Sequence, residues 1–242
     1  MHTNETQFQI TIENESITRV DSTKFLGAIV DQKLTWQQHI TYISLKISKS
    51  LNILRRLKYK LPKKCLISLY YSLIYPHLNY CIIVWGSAYN TTLHRLIIWQ
   101  KPAIRTIDNC HYRSHTEPLF KKLNILKLND IYIFSCCMFM YKFKNKILPN
   151  VCECLLMLNI NYNSNAYCLR NVSDFTSPLY RTNVREKCIK VCGPKFWNTV
   201  SNDIQILPTE LSFKLNLRYS LIVKYNATDW IWAYIYFILK CF

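Results

Sequence analysis

Glycine is scarce. Three residues in a chain of 242, Gly27, Gly86 and Gly193, argue against a turn-rich all-β fold and against a glycine-rich phosphate loop. Acidic residues are few as well, fourteen against thirty-one lysines and arginines, and no two carboxylates are adjacent in the chain. No apolar run reaches the roughly 20 residues that a membrane-spanning helix needs. The polar, acidic N-terminus has no apolar core of a secretory signal, so the eleven cysteines are expected to be reduced thiols of a cytosolic or nuclear protein. On that reading the N-x-S/T triplets at Asn4, Asn14, Asn90, Asn171 and Asn226 carry no meaning.

Other chemistries lack their spacings too. Cys110-His111 with His115, Cys152-x-Cys154 and Cys188-x3-Cys192 do not form the paired pattern of a structural zinc site. No Gly-x-Ser-x-Gly elbow occurs, and no local signature marks a cysteine nucleophile. Neither a metal nor a cofactor is expected.

What is present is apolar mass and positive charge. Half of the residues are hydrophobic, enough for a sizeable core. The net charge of +17 is uneven: residues 1–23 carry −3, residues 24–61 carry +7, residues 62–129 another +7, and residues 130–242 the remaining +6. A basic field of this size favours polyanions, either an RNA or DNA backbone or an anionic membrane surface. The bland alternative is a solvated basic face without a partner.

The patterning predicts a mainly α protein with a small N-terminal antiparallel β element, an α+β arrangement. Phe8, Ile10 and Ile12 alternate, Asn14-Glu15 makes a turn, and Ile17 to Val20 returns as a hairpin. The apolar block from Phe25 to Val30 reads as a strand added to that sheet, with Gly27 as a bulge or close backbone approach. Thr35 lies three residues before Gln38, the spacing of a capping box, so a helix should begin at Trp36. From Trp36 to Lys60, Ile40, Ile43, Ile47, Leu51, Leu54 and Leu57 recur on one face, with Leu61 in step beyond them. Lys46, Lys49, Arg56 and Lys60 fall on the opposite face. Tyr59, Trp85 and Trp99 could stack on bases but are expected in the core.

Pro62 should open a second helix that ends before Pro76. Tyr80 to Trp85 is a short buried element of either type. A helix capped by Thr91 or Thr92 should run through Gln100 and kink at Pro102. Glu117-Pro118 starts another, and Asn129 can cap a longer, nearly all-apolar helix through Tyr141. Residues 159–180 read as a loop. The terminal segment from Trp230 to Phe242 is aromatic and apolar; it should dock in the core or lie at an interface.

Several blocks carry a resemblance. Lys24-Phe25-Leu26-Gly27, Asp31, Leu34-Thr35-Trp36 and His39-Ile40 come first. Tyr80-x4-Trp85-Gly86, Leu93-x6-Gln100-Lys101 and Ile104-Arg105 follow, then Gly193-Pro194-x-x-Trp197-Asn198. In this order they resemble the reverse transcriptases of non-LTR (LINE-type, jockey-like) retrotransposons over about residues 10–225. The resemblance implies that Phe25, Leu26 and Gly27 correspond to the primer grip. It divides the chain into a remnant of the palm sheet (1–34), a thumb-like helical domain (35–108), a helical C-terminal region (109–158) and a loop-rich region with an apolar tail (159–242).

In that family the metal-binding carboxylates lie in a Tyr-x-Asp-Asp hairpin and an earlier palm strand. Only 24 residues precede Phe25, so the chain is expected to be a non-catalytic piece of an RNA-directed DNA polymerase and not itself an enzyme. Sequence-independent nucleic-acid binding through Phe25, Leu26, Gly27, Lys46, Lys49, Arg56 and Lys60 is the expected remaining activity. The alternatives are a membrane-surface protein that uses the aromatic tail and a product of a decayed element.

Overall fold

Alternation at the N-terminus produces two short hairpins, not one sheet. The computed structural model describes residues 10–13, 15–155, 175 and 179–226. Strand β1 (Ile10–Ile12) pairs antiparallel with β2 (Glu15–Ile17), and β3 (Ser22–Phe25) pairs antiparallel with β4 (Ala28–Asp31). The single strand expected from Phe25 to Val30 is therefore two strands. Leu26 (φ 45°) and Gly27 (φ 86°) both adopt positive φ, the backbone of a two-residue type I′ turn, which reverses the chain.

Helix α1 (Gln37–Leu57) buries Ile40, Ile43, Ile47, Leu51 and Leu54, as its spacing predicts, and His39 beside them. Its start differs from the expected capping box. Trp36 stands before it in the left-handed region, with φ 62°, and makes no side-chain cap. Asp31 gathers this corner instead. One carboxylate oxygen accepts from Thr35 N (2.8 Å) and Thr35 Oγ1 (2.9 Å), the other from Trp36 N (2.8 Å). Burial raises the Asp31 pKa, but these three donors outweigh it and leave it below the usual value.

The chain then forms α2 (Lys63–Leu73), α3 (Tyr75–Asn79), the single turn α4 (Ile82–Trp85) and α5 (Asn90–Asp108). Helix α5 runs unbroken through Pro102, where a kink is expected. The carbonyl that loses its partner belongs to Ile98, which faces solvent, while Ala103, Ile104 and Ile107 hold the far end in the core. Packing outweighs one missing hydrogen bond.

Asp108, at the end of α5, ties three elements together. Its carboxylate is 3% exposed; one oxygen pairs with Lys63 and the other with Lys122 at 3.0 Å, while Cys110 Sγ donates to it at 3.2 Å. Burial pushes this carboxyl up, but its three partners win and hold it at about 2, below the ordinary 3.8. Its stabilisation is therefore complete above pH 3.8 and is lost as the pH falls through the folded value. Both lysines are well exposed, so solvent screening limits the contribution to about 1–2 kcal/mol. Asp108→Asn should lower the urea midpoint at pH 7, and the gap to the parent should narrow to a small fraction by pH 2. A gap of equal size at both pH values would assign the loss to packing.

Beyond α6 (Glu117–Lys122), helix α7 (Leu128–Lys144) buries nine side chains and packs against α3, α4 and the C-terminal helices. It starts at Leu128 after an extended Lys127, so the expected Asn129 cap lies inside the helix. After α8 (Asn150–Leu155) come α9 (Asn183–Glu186), α10 (Ile189–Trp197), α11 (Asn202–Gln205), α12 (Glu210–Val223) and a 3₁₀ turn (Lys224–Asn226). Gly193 lets α10 approach α7, since a Cβ there would meet Met140 Sδ at 2.7 Å. Trp197 is fully buried and stacks on Phe213 at 5.6 Å. One apolar core runs from Trp36 to Tyr225. Among the described residues, no helix is long and apolar enough to cross a membrane. Most of the expected loop at 159–180 and all of the tail from Trp230 to Phe242 lie outside the described residues.

Candidate functional site

The β3–β4 hairpin and the first half of α1 build a basic, aromatic cleft. Ile29 N donates to His39 Nδ1 at 3.3 Å, which fixes β4 on α1. Tyr80, 54 residues further along the chain, donates its hydroxyl proton to the Leu26 carbonyl. Its ring also lies beside Gly27, where a Cβ would sit 3.4 Å from the ring. This contact holds the turn in a conformation costly for leucine, about 1–2 kcal/mol in the left-handed region.

The turn presents two large apolar side chains to solvent, Phe25 (66% exposed) and Leu26 (75%). Beneath it lies a cleft of about 240 Å³ whose walls include Lys24, Tyr42, Lys46, His77 and Tyr80. The ammonium groups of Lys24 and Lys46 lie 5.7 and 4.5 Å from the centroid of the Tyr42 ring. Lys46 chiefly, with Lys24 behind it, pulls the Tyr42 phenol below its usual pKa. Burial, and then the charge of Lys46, pushes His77 down.

From this cleft the exposed stripe of α1 continues through Lys49 and Arg56. Lys60 is also exposed but lies past the helix end at Leu57, in the turn before α2. The helix is therefore shorter than the expected 36–60. Tyr59 departs from its expected place in the core and is 82% exposed, because the chain beyond Leu57 buries Leu57 and Leu61 in preference. Trp85 is fully buried, as expected, and Trp99 is half-buried against the core.

Sequence reasoning thus names the turn and the stripe but misses Lys24, His39, Tyr42, His77 and Tyr80 as parts of one site. The Lys24–Phe25, His39–Ile40 and Tyr80-x4-Trp85-Gly86 blocks hinted at three of them, and nothing in the sequence marked Tyr42 or His77. Among the described residues, no group of three or more His, Cys, Asp or Glu could hold a metal ion.

No family model and no solved structure matches the chain. Curated relatives do. The chain is 28% identical over 125 residues to the RNA-directed DNA polymerase from mobile element jockey of Drosophila funebris, covering 50% of this chain and 14% of that protein. It is 31% identical over 111 residues to the Drosophila melanogaster counterpart, covering 44% and 12%. The probable RNA-directed DNA polymerase from transposon X-element of Drosophila melanogaster is 26% identical over 124 residues, covering 49% and 13%. The matched segment thus spans about one-eighth of each relative's length.

These matches correct the expectation that the chain is not an enzyme. All three relatives are named as polymerases. A scarcity of carboxylates in one stretch describes only which part of the chemistry that stretch carries, because metal-holding and strand-positioning groups come from different segments of a polymerase. About half of this chain is a reverse-transcriptase-like region of the non-LTR retrotransposon type.

Proposed function

We propose that this chain serves a mobile-element RNA-directed DNA polymerase by holding a nucleic-acid backbone along the β3–β4 turn and the basic stripe of α1. One observation carries the reading. The turn that exposes Phe25 and Leu26 sits at the head of a continuous line of cations, Lys24, Lys46, Lys49 and Arg56, with Lys60 just beyond the helix. The apolar tip meets bases or sugars, and the cations meet phosphates. Backbone contacts of this kind carry no sequence information, so RNA and single-stranded DNA should bind alike.

Salt dependence tests it. Each phosphate neutralised on a single strand contributes a log–log slope of about −0.7. Changing Lys46, Lys49, Arg56 and Lys60 together to Gln should flatten the slope by roughly two to three. The fold should survive, since none of the four is in the core. Fluorescence anisotropy with a labelled oligonucleotide between 50 and 200 mM salt, a range over which phosphate contacts dominate the change, reads the result. A folded quadruple variant with the parental slope would place the strand elsewhere.

A further inference from the structure

We propose that the cleft beneath the β3–β4 turn is a phosphate site, in which one phosphate group of a nucleic-acid strand sits between the ammonium groups of Lys24 and Lys46 and accepts an N–H from His39. The inference rests on the backbone reading above and names the group that the cleft takes. Two independent observations carry it.

The first is uncompensated charge. Lys24 and Lys46 converge on one Tyr42 ring; His77 lines the same cleft, and no carboxylate does so among the described residues. Neither lysine has a carboxylate partner among the described residues. Like charges gathered without a counter-charge repel one another, and an anion between them turns that repulsion into attraction.

The second is His39. His39 is among the residues that line the cleft and is 2% exposed. Nδ1 accepts the Ile29 N–H, so the neutral ring carries its proton on Nε2. That nitrogen is buried and has no partner among the described residues. Burial holds His39 below its ordinary pKa, which keeps the ring neutral and its Nε2 a donor. A buried donor without an acceptor is costly, and a phosphate oxygen in the cleft would supply the acceptor. The edges of Trp36 and Trp85, 6.4 and 5.8 Å away between ring centroids, hold the imidazole in place.

The test uses the full chain labelled with ¹⁵N at histidine, and inorganic phosphate against sodium chloride of equal ionic strength. Phosphate, and not chloride, should move the His39 ring nitrogens saturably. Lys24→Gln, at an exposed strand position, should weaken that effect about tenfold or more, the expected loss of one charge-assisted hydrogen bond. Lys46→Gln should do the same, while Lys214→Gln, at an exposed position of α12, should not. A His39 signal indifferent to phosphate, or a response equally strong in Lys24→Gln and Lys46→Gln, overturns the site.

Oligonucleotides separate the sources of the phosphate. A strand that moves His39 only when it bears a 5′-phosphate identifies a terminal monoester; equal effects with and without it identify an internal diester. Tight oligonucleotide binding that leaves His39 unmoved defeats the phosphate site and spares the backbone reading. A phosphate response without any oligonucleotide binding does the reverse.

Discussion

Trp85→Ala is expected to cost about 3–5 kcal/mol of stability, the range for removing a buried tryptophan from a core. Trp85 is fully buried, and its indole N–H donates to the Tyr80 carbonyl at 2.7 Å. Its ring also meets His39 edge-on at 5.8 Å. The truncation therefore releases both Tyr80, which holds the β3–β4 turn, and His39, which walls the cleft. Loss of the His39 phosphate response should accompany the loss of stability.

Trp85→Phe keeps most of the packing and removes only the indole donor, so it should cost nearer 1–2 kcal/mol. Urea denaturation of the three proteins gives the order. A Trp85→Ala variant within about 1 kcal/mol of the parent would show that α4 is not the anchor of this end of the molecule.

The same argument explains the Tyr-x4-Trp-Gly spacing physically. Tyr80 reaches the turn, Trp85 fixes Tyr80, and Gly86 admits α7. A Cβ on Gly86 would stand 2.5 Å from both the Ile82 carbonyl oxygen and the Tyr132 ring.

Gln100→Leu should be nearly as damaging, at roughly 3–4 kcal/mol. Gln100 is 1% exposed, yet its amide serves three partners. Nε2 donates to Tyr70 Oη and to the Leu126 carbonyl, each at 2.9 Å, and Oε1 accepts from Leu128 N at 3.0 Å. Leucine matches the volume but strands a fully buried tyrosine hydroxyl and the polar backbone at the start of α7. Each stranded group costs about 1–3 kcal/mol, and such costs overlap.

Because Tyr70 and Gln100 share one network, Tyr70→Phe should cost less in the Gln100→Leu background than in the parent, by about 1 kcal/mol. Strict additivity in that double-mutant cycle would mean the hydroxyl does not depend on Gln100. The glutamine of the Leu-x6-Gln-Lys block is thus a structural tie between α5, α2 and the α6–α7 connection. Buried as it is, it has no surface with which to meet a strand.

Local pattern alone determined a good deal of this protein. The buried face of α1, from Ile40 to Leu54, follows from apolar residues three and four apart, because a 3.6-residue period admits one inward face. The exposure of Lys46, Lys49 and Arg56 follows from the same geometry. So does the helical character of the chain, given few glycines and long apolar periods.

What tertiary structure decided lies between segments distant in sequence. Pro102 stays within a helix because core contacts on both sides of it outweigh one hydrogen bond. Asp31 displaces the Thr35–Gln38 box because a carboxylate on a strand end reaches three donors at once. Tyr59 is exposed because the chain has just turned. The cleft itself draws Lys24 from a strand, His39, Tyr42 and Lys46 from a helix, and His77 and Tyr80 from a segment more than thirty residues beyond Lys46. No sequence period links such positions. Only the docking of the hairpin on α1, and of α3 and α4 beside it, brings those side chains around one space and leaves the His39 Nε2 proton without a partner among the described residues.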